Sequence, residues 1–423
     1  MASSASPGTL GRWSMLLRNS GETLVLNAAG KLDGPGTGPS FLERFRQWTG
    51  SARAATGTSN PELPFFGGWF VYLGYELAAE VEPTLRLPQA EDHLPVALAS
   101  RCPAALLLDH RDETLWLVAE NRQALAQARA ELSRLPTESP PAAPFDPAQL
   151  TLTAEPGAGF MAGVERIREF ILAGDVFQVN LSRSWQGKSR TRLDPTVLYE
   201  ALAQSNPAPF AGLARLPGGT VLSSSPERLV EVRGRQVQVR PIAGTRPRGS
   251  SADQDLLFAD ELMAHPKERA EHIMLIDLER NDLGRVCQTG TVKVDELMVV
   301  ESYAHVHHIV SNVRGLLRED MHAADVIRAV FPGGTITGCP KVRCMEIIAQ
   351  LEAQGRGFYT GAMGYLGHDG GLDLNILIRS MVVREHELSF RTGAGIVADS
   401  DPVAELAETE AKARGLLRAL SHD

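Results

Sequence analysis

Cysteine is scarce in this chain, and the four that occur suggest no site. Cys102, Cys287, Cys339 and Cys344 are scattered, with no CxxC pair and no histidine at metal spacing, which argues for reduced structural thiols rather than a zinc centre or a disulfide framework. Basic charge is not in excess either. A net charge of -9 removes nucleic acid from the candidate partners, because phosphate binding needs a basic face, and an anionic small molecule would need locally supplied cations. Long apolar runs are missing: stretches such as residues 103–108 are far shorter than a membrane span, and the N-terminus lacks the basic-then-apolar order of a signal peptide. The expectation is therefore a cytosolic protein with no membrane association. There is no GxGxxG and no strand-helix-strand repeat, which sets aside a nucleotide-binding fold. What is present is ordinary: 423 residues, 43% hydrophobic and 22% charged, enough chain for a large core.

Two unequal parts follow from the patterning. Residues 1–135 mix short strand-like runs at 13–17, 23–26, 106–109 and 114–118 with a glycine-rich, aromatic stretch at 65–76 that reads as core, and a helix over 122–135. Residues 136–150 are rich in proline and alanine, a linker by composition. Residues 151–423 open with Phe160, Val164, Ile167 and Ile171 at helical spacing, closed by Gly174-Asp175. Phe177, Val179 and Leu181 then alternate, so the period changes from 3.6 to 2 and predicts a helix followed by a strand. The fold class on this reading is α+β.

Two carboxylate pairs stand out by spacing. Glu268 and Glu271 lie three apart in a helical segment, and Glu405 and Glu408 lie three apart in a C-terminal helix opened by Asp401-Pro402, so each pair shares a helical face. Four carboxylates from two helices could hold one hard divalent cation such as Mg²⁺, or could be solvated helix faces.

A series of segments resembles the chorismate-utilising enzymes. They are Gly174 to Leu181, Ser223-Ser224-Ser225-Pro226-Glu227-Arg228, Arg240-Pro241-Ile242-Ala243-Gly244-Thr245, Lys267 to His272, Asp277 to Val286, His307-His308-Ile309-Val310-Ser311, Phe331 to Ile347 and Gly393 to Ser400. Any one could be chance; together and in family order they are specific. The resemblance covers residues 155–420, and more weakly 8–120. It implies two large antiparallel sheets packed as a sandwich, outer helices, and an active site in a cleft at the sheet ends.

Site roles come from the same resemblance. It implies that Glu268, Glu271, Glu405 and Glu408 hold Mg²⁺, and that Glu227 is the general acid for the departing C4 hydroxyl of chorismate. Partial burial would keep such an acid protonated at neutral pH. His308 matches the active-site histidine, and Thr335 lies in a substrate-contacting turn. Arg379, Tyr365, Lys412 and a turn formed by Gly393, Ala394 and Gly395 match the contacts to the enolpyruvyl carboxylate, chemistry that suits a guanidinium and closely approaching backbone N–H groups. Ala243, Gly244 and Thr245 match contacts to the ring. His305 and His307 are expected to be structural.

Within the family the signals divide. Gln178-Val179-Asn180, Asn206-Pro207-Ala208-Pro209-Phe210, His307-His308 and residues 334–341 look like aminodeoxychorismate synthase component I, whereas Ala243, residues 245–249 and His305 look like anthranilate synthase. The first group usually carries a lysine nucleophile where Ala243 stands. The four segments favour amination at C4, with ammonia from a separate glutamine amidotransferase subunit, since no Gly-x-Cys-x-Gly motif occurs here. Amination at C2, or a silent chorismate-binding subunit, are the alternatives.

Overall fold

The computed structural model describes residues 11–51, 62–136, 145–249, 251–264, 266–302 and 306–421. Most of the 136–150 linker and all of His305 lie outside them. Among the described residues every strand pair is antiparallel, in sheets of eleven, seven and three strands. The architecture is the α+β sandwich expected.

The eleven-stranded sheet draws on both ends of the chain. Its order runs Ile242–Pro247, Val306–Leu316, Gln236–Val239, Arg228–Arg233, Leu372–Ile376, Ala362–Gly367, Gly68–Leu73, Ala97–Cys102, Thr23–Leu26 and Leu32–Asp33, with Lys293–Ser302 also paired to Val306–Leu316. The glycine-rich 65–76 stretch thus supplies a central strand, with Trp69, Val71 and Tyr72 at most 1% exposed. Gly68 has φ +151°, and a Cβ there would meet the Leu366 carbonyl oxygen at 2.0 Å, so only glycine allows this approach. The N-terminal part does not fold apart from the rest: it completes this sheet.

The seven-stranded sheet runs Phe210–Leu216, Gly219–Ser225, Ser380–Arg384, Glu387–Ile396, Gln178–Ser189 and Gly338–Cys339, with Leu150–Ala154 beside Gln178–Ser189. Tyr72, Leu98 and Met363 from the larger sheet pack against Ala214, Val221 and Val382 from this one, which seals the sandwich. Outer faces are covered by helices. Ile276 and Leu283 of Pro266–Gly284 and Val326 to Val330 of Ala323–Val330 cover the larger sheet, and Leu198, Leu202, Ala413 and Leu416 of Pro195–Ser205 and Pro402–Ala419 cover the smaller.

Local expectations hold with small shifts. The helix with Phe160, Val164 and Ile167 inward spans Gly157–Leu172. The following strand starts at Gln178 and leaves Phe177 66% exposed, although Val179 and Leu181 are buried. The helix expected to reach 135 ends at Leu132, where Ser133 is its C-cap. Asp401 caps Pro402–Ala419 as expected, accepting from the Val403 and Ala404 N–H groups.

Candidate active site

The acid is held by the connection between Gly219–Ser225 and Arg228–Arg233. Pro226 cannot continue a ladder, and the Ser225 hydroxyl closes the turn: it accepts from the Glu227 N–H at 3.2 Å and donates to the Ile376 carbonyl at 2.6 Å. Glu227 is only 5% exposed. Its carboxyl accepts from the Thr335 hydroxyl at 2.8 Å and from the Ile242 N–H. Burial outweighs these bonds and pushes Glu227 up to about 7, so it carries a proton through much of the neutral range. Thr335 itself sits in the one-turn helix Gly334–Ile336.

Ile242–Pro247 brings the next group. Ala243 is 9% exposed and pairs with Ile309, and the register then slips so that Thr245 faces His308. The slip is a bulge at Gly244, whose φ is +67°; a Cβ there would meet Glu268 Oε2 at 2.8 Å. The Gly244 carbonyl lies 3.4 Å from Nδ1 of His308. Burial first, then Arg379 and Lys412, pushes His308 down to about 4, which keeps its imidazole neutral. His307, as expected, is structural: its ring nitrogens meet Ser302 Oγ and Asp255 Oδ1, each at 2.8 Å.

Two cations stand near His308. Arg379 has φ +51°, a conformation that non-glycine residues adopt only when their surroundings enforce it. Its guanidinium makes no hydrogen bond or ion pair with a described residue, and burial lowers its pKa. Lys412 donates to the Gly393 carbonyl at 2.9 Å and pairs with Glu408 at 2.6 Å. A half-buried guanidinium with no direct ion pair to a described residue is suited to a carboxylate ligand.

Two expectations require correction here. Tyr365 is not brought to Arg379: its ring meets Phe65 edge-on at 5.6 Å in the cluster under the three-stranded sheet, and its charged neighbours are Asp373 and Arg228. The tyrosine beside Arg379 is Tyr359, missed in the sequence; a Cβ on Gly393 would lie 2.8 Å from its hydroxyl. The only sequence signal was the glycine pair bracketing Gly357-Phe358-Tyr359-Thr360-Gly361. Gly393, Ala394 and Gly395 also form no turn. They continue the strand Glu387–Ile396 opposite Ser182, Leu181 and Asn180, and their glycines admit Tyr359 and the Gln178 side chain, 2.4 Å from a Cβ on Gly395. Asn180 Oδ1 is buried there with no hydrogen-bond partner.

The four glutamates are oxygen donors of the kind Mg²⁺ takes, and they flank this site on two helices. Glu268 borders Gly244 and pairs with Arg246 at 3.3 Å, Glu408 pairs with Lys412, and Glu405 accepts from Ser400 Oγ at 2.6 Å. Their chemistry fits the cation, but their arrangement is not the single cage expected: among the described residues no three His, Cys, Asp or Glu side chains gather closely enough to hold a metal ion. Glu268, Glu405 and Glu408 each turn to a nearby donor instead. One further acid escaped the sequence reading. Glu279, 6% exposed, accepts from the Gly334 N–H next to Thr335, and burial followed by Asp282 raises its pKa.

A pocket of about 720 Å³ lies along Pro266–Gly284 and the start of Lys341–Glu352, lined by Phe177, Ile273, Met274, Leu278, Asp282 and Lys341 among others. It does not include the residues around Glu227 and Arg379. No described helix is long and apolar enough to cross a membrane.

Comparison with known proteins agrees with this geometry. Residues 21–418 match the chorismate binding enzyme family. The chain is 45% identical over 360 residues to the anthranilate synthase component I-like protein of Synechocystis sp., covering 85% of this chain and 73% of that one. It is 41% identical over 390 residues to aminodeoxychorismate synthase component 1 of Bacillus subtilis, covering 90% and 82%. Among solved structures, anthranilate synthase component I from Streptococcus pneumoniae TIGR4 superposes with a TM-score of 0.84 at 29% identity, over 97% of this chain and 93% of that one. With a buried acid, a neutral histidine and a half-buried arginine near one another, and the family matched over residues 21–418, the chain belongs to the chorismate binding enzymes, in the class that holds anthranilate synthase component I and aminodeoxychorismate synthase component 1.

Proposed function

We propose that this enzyme replaces the C4 hydroxyl of chorismate with an amino group, giving 4-amino-4-deoxychorismate, the precursor of 4-aminobenzoate in folate synthesis. The observation that carries the chemistry is Glu227: a carboxyl buried beside Thr335 and held up to about 7 keeps a proton in a good share of molecules near neutral pH, to give to a leaving hydroxyl. Arg379, Tyr359 and Lys412 bind the enolpyruvyl carboxylate. Thr335 holds Glu227 toward C4. The C4–O bond breaks as Glu227 donates its proton and water departs; ammonia forms the new C4–N bond, and the Glu227 carboxylate takes back the proton that nitrogen loses, with His308 neutral beside the ring. Ala243 leaves no amine to attack the ring, so in this reading ammonia adds without a covalent lysine intermediate.

Glu268, Glu271, Glu405 and Glu408 would supply oxygen ligands to Mg²⁺, which when bound offsets the charge of a substrate carboxylate. Ammonia comes from a glutamine amidotransferase subunit. Supporting this, the thiols here are poor nucleophiles: burial pushes Cys102 and Cys287 up to about 11 and raises Cys344 as well.

The preference for C4 rests on the four sequence segments, three of which line the site through Asn180, His308 and Thr335. Ala243 favours the second reading, anthranilate synthase, with amination at C2 and loss of pyruvate. Incubating the protein with chorismate, Mg²⁺ and an ammonium salt separates them. Release of 4-aminobenzoate after a lyase is added supports the first; fluorescent anthranilate as the main product overturns it.

A further inference from the structure

The loop that carries Tyr359 is held from the N-terminal part of the chain. Three successive N–H groups, those of Arg356, Gly357 and Phe358, converge on two carboxylates. Glu76 accepts from Arg356 at 2.7 Å and from Gly357 at 3.1 Å, and Asp92 accepts from Phe358 at 2.9 Å. The Tyr75 N–H adds a bond to the Gly357 carbonyl at 2.7 Å. Such a concave run of N–H groups is an anion site, and here the protein's own carboxylates fill it. The fit admits only glycine: Gly357 has φ +59°, and a Cβ there would overlap Asp92.

The same loop reaches the turn that carries Thr335. From Arg356 the guanidinium donates to the Ile336 carbonyl at 3.0 Å, one residue past Thr335, and to the Asn180 carbonyl at 2.8 Å, and it pairs with Glu352 at 2.6 Å where both side chains are 1% exposed. Glu352 in turn pairs with Arg391 at 3.1 Å. These contacts, with the Arg356 guanidinium over the Tyr359 ring at 5.6 Å, tie the loop to the backbone beside Thr335 and at Asn180.

We propose that Glu76 is a positioning residue for substrate binding: by clamping the Arg356–Gly357 backbone it sets Tyr359 beside Arg379 and Gly393, so the N-terminal part of the chain builds the carboxylate pocket without touching the substrate. This rests on the reading of that pocket as the enolpyruvyl carboxylate site. Burial pushes Glu76 up to about 7, against the Gly357 and Arg356 N–H groups that pull it down, so near neutral pH about half of it carries a proton and glutamine keeps its size and its accepting oxygen.

The experiment compares Glu76→Ala and Glu76→Gln in the full chain, by chorismate KM and kcat with ammonium and Mg²⁺ and by ¹⁹F NMR of fluorotyrosine at position 359. Expected for Glu76→Ala is a KM raised about tenfold, the worth of one well-made hydrogen bond, with kcat held within about threefold, and a displaced ¹⁹F line. Glu76→Gln should restore both. An Ala variant that is less heat-stable yet keeps the wild-type KM and ¹⁹F position overturns the proposal, since Glu76 then only stabilises. If Glu76→Ala does not fold, Glu76→Asp, shorter by one methylene, carries the same test with the same two outcomes. The ¹⁹F line needs no substrate, so a displaced line with no effect on chorismate binding would disprove the carboxylate reading of the pocket while leaving the clamp in place.

Discussion

Replacing Glu227 by glutamine separates its chemical role from its structural one. The amide keeps the volume and an oxygen to accept from the Thr335 hydroxyl, 2.8 Å away in the wild type, so the turn at residues 334–336 should hold. It cannot give up a proton. Loss of a general acid typically costs about 10²- to 10⁴-fold in rate, or about 3–5 kcal/mol of barrier, and chorismate binding should survive. The wild-type rate should fall as pH rises through about 7, where Glu227 ionises, and the variant's residual rate should not follow it. Stability gives a second readout of the same group. Glu227 is raised from its ordinary 4.5 to about 7, so the folded state retains a proton that the unfolded chain has already released. Relative to the glutamine variant, the wild type should be at full stability below about pH 4.5, lose about 3 kcal/mol as pH climbs to 7, and level off above it. Chorismate consumption under single-turnover conditions and denaturant unfolding at pH 4.5 and pH 8 measure the two. An unchanged chemical rate would assign the proton to another donor, and a stability gap that does not grow with pH would show that Glu227 is not buried as an acid.

Three further outcomes follow from the site. Glu271→Ala or Glu408→Ala should abolish Mg²⁺-dependent turnover with little change in melting temperature, since each removes a ligand charge from the edge of the site; full activity in either would remove the metal assignment. Ammonia should support the purified chain and glutamine should not, because no cysteine here is placed or activated as a nucleophile; glutamine-dependent turnover by the single chain would refute a separate amidotransferase. Ala243→Lys places an amine in a 9% exposed position, and a clash there costs about 1–3 kcal/mol. Mass spectrometry should find a covalent adduct or reduced formation of the same aminodeoxychorismate, whereas a fall in anthranilate would mark a pocket built for C2.

What could be read from the sequence was local. Helix Gly157–Leu172 and the Asp401 cap follow from neighbours within a few residues, where spacing and a cap speak directly. The order of the sheets could not be read that way. Gly68–Leu73 pairs with Ala362–Gly367, almost three hundred positions on, and no alternation along either strand names its partner. The interleaving of the two chain ends was lost for that reason, although the 65–76 stretch itself reads correctly as core.

The two tyrosines show the same limit inside the site. Tyr359 and Tyr365 lie six residues apart with glycines around both, and side-chain chemistry alone gives no reason to prefer either. Backbone conformation decides between them. Tyr365 falls within Ala362–Gly367, where its face of the strand is already committed to Phe65 and the small sheet. Tyr359 precedes that strand, in a loop whose path is set by Gly357 at positive φ and by carboxylates more than two hundred and fifty positions earlier in the chain. A residue in a regular strand inherits its direction from the ladder, whereas a loop residue takes it from whatever binds the backbone beneath it. For this site that means Glu76 and Asp92, which carry no catalytic signature of their own, determine which tyrosine faces Arg379.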